Sequence, residues 1–301
     1  MTWIAAVARL RARREPGVLV TVASVRGHAP RDAGAKLVVG ETEAWGSIGG
    51  GNVEAVAIDR AREMIAASLS GSLSASGSTS MSTPEPELID FALNDKVTNQ
   101  HGVQCCGGTV SVLLEPLAVV RAVAIFGVGH VGLELARILA RQDLDLHLID
   151  TRSDILTEER LAVLADAVGQ VHVHHTPLLP EEVLEELPRG THVLIMTHDH
   201  AEDAALCDAA LRTTHLGSIG LIGSAAKWVR FRNRLTTEGG HDETTIGRIK
   251  TPIGLADITG KEPATIAVSV AADLLRTFEA EEIPSGPTAT GAAPGSAARA
   301  G

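Results

Sequence analysis

The residues whose types and spacing could do chemistry fall into five short runs: Gly127, Gly129 and Gly132 with Asp150 downstream, Gly49–Gly51, Cys105-Cys106-Gly107-Gly108, Thr197-His198-Asp199-His200, and Gly223-Ser224 ahead of a basic helix. The first is the most informative. An apolar run, Ala122 to Phe126, delivers the chain into Gly127-x-Gly129-x-x-Gly132, a helical pattern follows, and a second apolar run ends at Asp150. Strand, glycine turn, helix, strand and acid in that order form the dinucleotide-binding fingerprint. The first glycine permits the tight turn. The second lets backbone N–H groups approach a pyrophosphate, and the third lets the helix pack close to the strand. The helix N-terminus adds partial positive charge where an anion would sit. Asp150 is placed to meet a ribose 2′-OH, and Arg152 beside it leaves NAD and NADP both open.

Each remaining run has two readings. Gly49, Gly50 and Gly51 precede a helix, and three free backbones there can present successive N–H groups to a phosphate or simply form a tight turn. Adjacent cysteines point apart along a strand and lack the CxxC spacing of a zinc site. Cys105 and Cys106 are therefore either small core residues or, beside a Gly-Gly turn at Gly107, thiolates for a soft ligand such as molybdenum or sulfur. Cys207 lies mid-helix and reads as structural. His198 and its neighbours follow an apolar strand, where open α/β sheets gather ligands, yet Asp199 could equally be a helix cap. Ser224 is a natural N-cap. Lys227 and Arg230, in the basic helix that follows, are either a solvated face or phosphate contacts. His172, His174 and His175 read as a polar-faced strand.

The elements that must position these runs divide the chain in two. Residues 1–118 read as a small α+β unit, with strands over Val18–Val25 and Ala35–Val39 and a helix from about Val53 to Ala67. The Ser-rich stretch 66–86 is a flexible linker or insert. Residues 119–280 alternate strand and helix and predict a Rossmann-type, doubly wound parallel sheet. Residues 281–301, rich in Gly, Ala, Pro and Ser, predict a disordered tail. Hydrophobic residues make up 45 % of the chain, with seven Phe or Trp and no Tyr, so aliphatic side chains must fill the cores. A net charge of −11 and the scarcity of aromatics argue against a nucleic-acid surface. No apolar run approaches a membrane span, and the Arg-interrupted N-terminus does not read as a signal peptide. Three cysteines make no disulfide framework. The expected location is cytoplasmic.

Taken together, GSIGGGNVE (46–54), QCCGG (104–108), AIFGVGHVG (124–132), THDHAED (197–203), GLIGSAAKWVRFRNRL (220–235), TPIGL (251–255) and IAVSVAADLL (266–275) resemble the xanthine dehydrogenase accessory protein family, XdhC, and its CoxI-like relatives. The resemblance spans about residues 1–278. It implies a non-enzymatic chaperone that binds the molybdenum cofactor (molybdopterin), protects it and supports its sulfuration by a cysteine desulfurase. Delivery follows to a molybdenum hydroxylase such as xanthine dehydrogenase, toward which the QCCGG form leans. It also implies a homodimer. On this reading Gly49–Gly51, Cys105, Cys106, Gly107, Gly127, Gly129, Gly132, Asp150, His198, Gly223, Ser224 and Lys227 bind the cofactor, and Cys106 lies nearest the molybdenum. No residue is assigned a catalytic role.

Two departures bear on the site. Asn52 stands where some relatives have Cys, which excludes a thiol there. Ala225 stands where relatives often have Arg, which throws more weight on Lys227. The competing expectations are an NAD(P)-dependent oxidoreductase using the glycine turn, with His198 as proton relay, and a nucleotide-responsive regulatory module.

Overall fold

The computed structural model describes residues 1–69, 84–93 and 108–282. Cys105, Cys106 and Gly107, most of the Ser-rich stretch and the tail from 283 lie outside the described residues.

The first unit is built from α1 (Trp3–Arg13), β1 (Gly17–Arg26), β2 (Lys36–Val39), β3 (Ala44–Gly46), α2 (Gly51–Leu69), β4 (Glu87–Ala92) and β5 (Thr109–Leu117). Its strands form an antiparallel sheet in the order β3-β2-β1-β5-β4. Along α2, Val53, Ala57, Ala61, Met64 and Ile65 recur at helical spacing. That stripe is buried against Val18, Val20, Val22, Val110, Val112 and Leu114 of the sheet. The opposite face packs α1 through Ala6 and Leu10 onto Val38. Thr2 caps α1, and Arg14, in the left-handed region at φ 54°, turns the chain before Pro16. The helix α2 runs to Leu69, so the Ser-rich stretch begins inside it. The strand β4, which the sequence reading left unassigned, alternates half-buried and exposed residues beside β5.

The second unit contains β6 (Arg121–Phe126), α3 (His130–Leu139), β7 (Leu144–Asp150), α4 (Glu158–Leu161), β8 (Val171–His175), α5 (Val183–Glu186), β9 (His192–Ile195), α6 (His200–Arg212), β10 (Ile219–Leu221), α7 (Ala225–Thr237), α8 (Glu243–Ile246), β11 (Ile249–Lys250) and α9 (Pro263–Glu282). All six strands are parallel, in the order β11-β10-β9-β6-β7-β8. That is the doubly wound order in which the first strand lies at the centre and the chain reverses direction beside it. Alternate side chains feed two cores. Ala124, Phe126 and Ile195 pack with α6 and α7, whereas Val123, Ile125 and Leu148 pack with α3 and α9. The doubly wound parallel sheet expected for this unit is the one the structure has. No described helix is long and apolar enough to cross a membrane.

The units meet at the N-terminal ends of the parallel strands. Arg14 pairs with Asp145 at 2.7 Å and Arg11 with Asp143. A cavity of about 100 Å³ lies there, lined by Met64 and Leu117 from one unit and by Arg121 and His192 from the other. His192 is buried at the base of β9, with Nδ1 2.9 Å from the Ser218 hydroxyl. Burial pushes its imidazole down to about 4. The unfolded chain therefore binds more protons than the folded one between about pH 6.5 and 4, and stability falls as pH drops through that window. The urea midpoint is expected to be lower at pH 5 than at pH 7, and the difference smaller in His192→Asn; equal midpoints at the two pH values would contradict it.

Candidate functional site

The glycine turn follows β6 at the carboxyl edge of the parallel sheet. Gly127 has φ 97°, and a Cβ there would stand 2.4 Å from the Met196 carbonyl oxygen. A Cβ on Gly132 would stand 2.2 Å from the Gly127 carbonyl, so α3 packs directly onto the turn. Gly129 caps α3, and a Cβ there would meet open space. Two of the three glycines thus serve close packing, and the middle one faces outward.

Asp150 ends β7 and is buried. Its Oδ2 accepts from the Val128 amide (2.8 Å) and Arg152 Nη2 (2.9 Å). Its Oδ1 accepts from the Arg152 amide (3.0 Å) and Arg152 Nε (2.9 Å). Burial alone would raise this carboxyl, but the Arg152 guanidinium and the two amides outweigh it and hold it below the usual carboxylate range. Both oxygens, which the fingerprint offers to a ribose, are engaged within the protein. Arg160 spans the same region, donating to the carbonyls of Ile155 (3.1 Å) and Val128 (3.4 Å).

A second buried carboxylate organises the neighbouring strand ends. Asp199 caps α6 through the amides of Ala201 and Glu202. One turn on, Asp203 is fully buried, and its Oδ1 accepts from the amide and hydroxyl of Thr197. Its Oδ2 pairs with Lys227 Nζ at 2.5 Å, and Nζ also donates to the Ile222 carbonyl at 3.0 Å. Lys227 was expected to reach a phosphate; instead it is only 7 % exposed and lies over the Phe231 ring. Its position explains this: Lys227, Phe231 and Leu235 form the buried stripe of α7 at four-residue spacing. Ser224 caps α7 as expected, accepting from the Lys227 amide, and Gly223 lies close over the Lys227 stem. His198 and His200 are exposed beside this brace, and His200 meets the edge of Phe231. Glu202 is half-buried, and burial together with the nearby Asp150 pushes its carboxyl upward.

The triple-glycine turn has a different occupant from the one its sequence suggests. Gly49, Gly50 and Gly51 all adopt positive φ (122°, 71° and 65°). Glu54 Oε2 accepts from the Ser47 hydroxyl (2.6 Å) and from the amides of Ile48 (2.9 Å) and Gly50 (3.0 Å), while the Gly49 amide donates to Ser47 Oγ. Of the glycine amides expected to cradle a phosphate, that of Gly50 is taken by the Glu54 carboxylate and that of Gly49 by the Ser47 hydroxyl. Burial opposes the charge on Glu54, yet the Ser47 hydroxyl and the turn amides hold its carboxyl low. Cβ atoms on Gly49 and Gly108 would meet Pro30 and the His28 carbonyl, so both glycine turns pack on the 28–30 turn.

The candidate residues therefore form two sets. Gly49–Gly51 lies near the outer end of β1, whose first residue borders the junction cavity. Gly127–Gly132, Asp150, His198 and Gly223-Ser224 lie at the outer end of the parallel sheet. Among the described residues no group of three His, Cys, Asp or Glu side chains is placed to hold a metal ion. The residues that sequence reasoning passed over are Glu54, Asp203 and Arg160. Glu54 had a signal, since an acid near the third position of a helix closes back on its first turn.

The Asp203–Lys227 pair predicts a specific stability change. Lys227→Met leaves a buried carboxylate without its cation and is expected to cost about 3–5 kcal/mol in urea unfolding. Arg230→Ala, on the exposed face of the same helix, should change stability by less than about 0.5 kcal/mol. Equal losses in the two variants would contradict the arrangement.

Comparison with known proteins places this geometry in a family. The XdhC Rossmann domain matches residues 123–274, and the XdhC and CoxI family matches residues 10–74. The Escherichia coli (strain K12) protein named "Uncharacterized protein YqeB" is 24 % identical over 269 residues, covering 89 % of this chain and 45 % of that protein. The chain thus spans less than half the length of this relative. Among solved structures, a Bacillus halodurans protein described as a xanthine dehydrogenase is 19 % identical with a TM-score of 0.45, covering 95 % of this chain and 98 % of that one. A short-chain dehydrogenase from Oenococcus oeni is 13 % identical with a TM-score of 0.37, covering 53 % of this chain and 92 % of that one. With a family domain over residues 123–274, half of its length, and a second match over its N-terminal unit, the chain belongs to the XdhC family.

Proposed function

We propose that this protein is a maturation factor for a molybdenum hydroxylase such as xanthine dehydrogenase. On this reading it holds the molybdenum cofactor, protects it while a cysteine desulfurase supplies the sulfido ligand, and passes it on, acting as a homodimer and turning over no substrate. The observation that carries the reading is the family match across both units.

The site chemistry supports a carrier over a dehydrogenase. A dinucleotide-dependent oxidoreductase remains the second reading because the strand order and the glycine turn are those of nucleotide-binding sheets. Against it, Asp150 already receives four N–H groups from within the protein, and a ribose hydroxyl would have to displace one of them. The outward-facing Gly129 at the start of α3 leaves open space that a phosphate can enter. The metal end is assigned to Cys106, with Cys105 beside it, since a thiolate suits a soft metal. Cys207 is the internal comparison: it is fully buried, and burial pushes its thiol up to about 12, which removes it as a ligand.

Anaerobic incubation with molybdenum cofactor, followed by desalting and assay of bound molybdenum and pterin, tests this directly. Retention is expected in the unaltered chain and in Cys207→Ala, and to fall at least about tenfold in Cys106→Ala, the loss of one good contact worth about 1.4 kcal/mol. Equal retention in the two variants would overturn the assignment of the metal end. No retention by the unaltered chain would overturn the carrier reading.

A further inference from the structure

Strands β7 and β8 carry a row of imidazoles that the proposed function does not use. His147 lies opposite His172 in the parallel register, and His174 lies opposite Ile149 on the same face. The His147 ring stacks on His172, with centroids 4.6 Å apart and planes 17° from parallel, and lies 5.4 Å from His174 at 19°. His147 Nδ1 and His174 Nε2 face each other at 3.1 Å. Two imidazole nitrogens so placed share one proton, one ring donating and the other accepting. The other nitrogen of His147, Nε2, is buried and has no hydrogen-bond partner among the described residues, and the residue as a whole is 7 % exposed.

The surroundings give an added proton no favourable place. Arg14, from the end of α1, and Asp145, on β7, face His147, but these two already form an ion pair with each other. His172 faces both other rings, and Glu186 of α5 faces His174. A first added proton goes to the partnerless Nε2 or to the outer nitrogen of His174, and either puts a cation against a stacked imidazole. A second added proton turns the shared N–H···N contact into two opposed N–H groups. Burial pushes His147 down to about 4 and lowers His174 as well, in agreement with that geometry.

The element free to respond is β8. Among the described residues it is an edge strand, hydrogen-bonded on one side only, to β7. We propose that the His147–His172–His174 stack is an acid-sensitive latch that holds β8 on the sheet while the His147–His174 N–H···N contact is intact and releases it when that pair takes up protons. Release reaches the glycine-turn site, because the ladder ends in the His175–Asp150 register and the Thr176 amide donates to the Asp150 carbonyl at 3.2 Å. The latch thereby links pH to the strand end that carries the turn's acid.

Amide hydrogen exchange on the full chain at pH 7.5 and 5.5, corrected for the intrinsic exchange rate at each pH, tests this. Protection over residues 171–176 is expected to fall at least about tenfold at pH 5.5 relative to residues 121–126 of β6, the change given by one histidine returning on opening to about its unfolded value of 6.5. The drop should vanish in the double variant His147→Asn/His174→Asn, which removes both lowered imidazoles. It should persist in His175→Asn, which alters the exposed imidazole next in sequence. The latch is overturned by protection that is the same at both pH values, by β6 losing protection in parallel, or by a drop that survives in the double variant.

Discussion

The carboxylate of Asp150 is the point on which the nucleotide-type edge of this protein turns. A buried acid must be neutralised, and this one gathers N–H groups from the glycine turn, from its own strand end and from the Arg152 side chain. In doing so it fixes the Val128 amide, and with it the turn that lets α3 approach β6. The close contacts of Gly127 with the Met196 carbonyl and of Gly132 with the Gly127 carbonyl are affordable only while that turn is held. A residue type that usually faces a ligand here braces the backbone.

The adjoining strand ends repeat the logic with different residues. Asp203 ties the Thr197 loop to Lys227, and Lys227 in turn ties α7 to the end of β10 through the Ile222 carbonyl. At the far end of the other sheet, Glu54 closes the Ile48–Gly50 turn in the same manner. Three backbone turns that look like anion cradles are therefore steadied by the protein's own carboxylates. A surface with its strongest charges already satisfied is in keeping with the carrier role proposed above, since exposed cations and free amides would favour retention over release.

Much of this was legible in the sequence, and the part that was not has physical reasons. The fingerprint run from Ala122 to Asp150 located the central strand, the turn and α3, because glycine spacing and apolar runs report backbone geometry directly. Asp199 and Ser224 were readable as caps for the same reason. Lys227 was misleading because a basic helix suggests a solvated face; its four-residue spacing from Phe231 and Leu235, which places it in the buried stripe, was the signal to weigh. The fate of the Asp150 oxygens was not legible. Sequence can place an acid at a strand end, but whether its lone pairs face a ligand or an Arg two residues away is a matter of side-chain geometry. The strand β4 escaped notice because it is short, half-exposed and preceded by a Ser-rich stretch whose composition dominates the local pattern.

With both Asp150 oxygens engaged inside the protein, a dinucleotide ribose is expected to find no free acceptor there. Calorimetric titration of the full chain with NADH and with NADPH tests it most directly. No saturable binding of either is expected at concentrations up to about 1 mM, which corresponds to about −4.1 kcal/mol. Stoichiometric binding of either at micromolar concentration would contradict it.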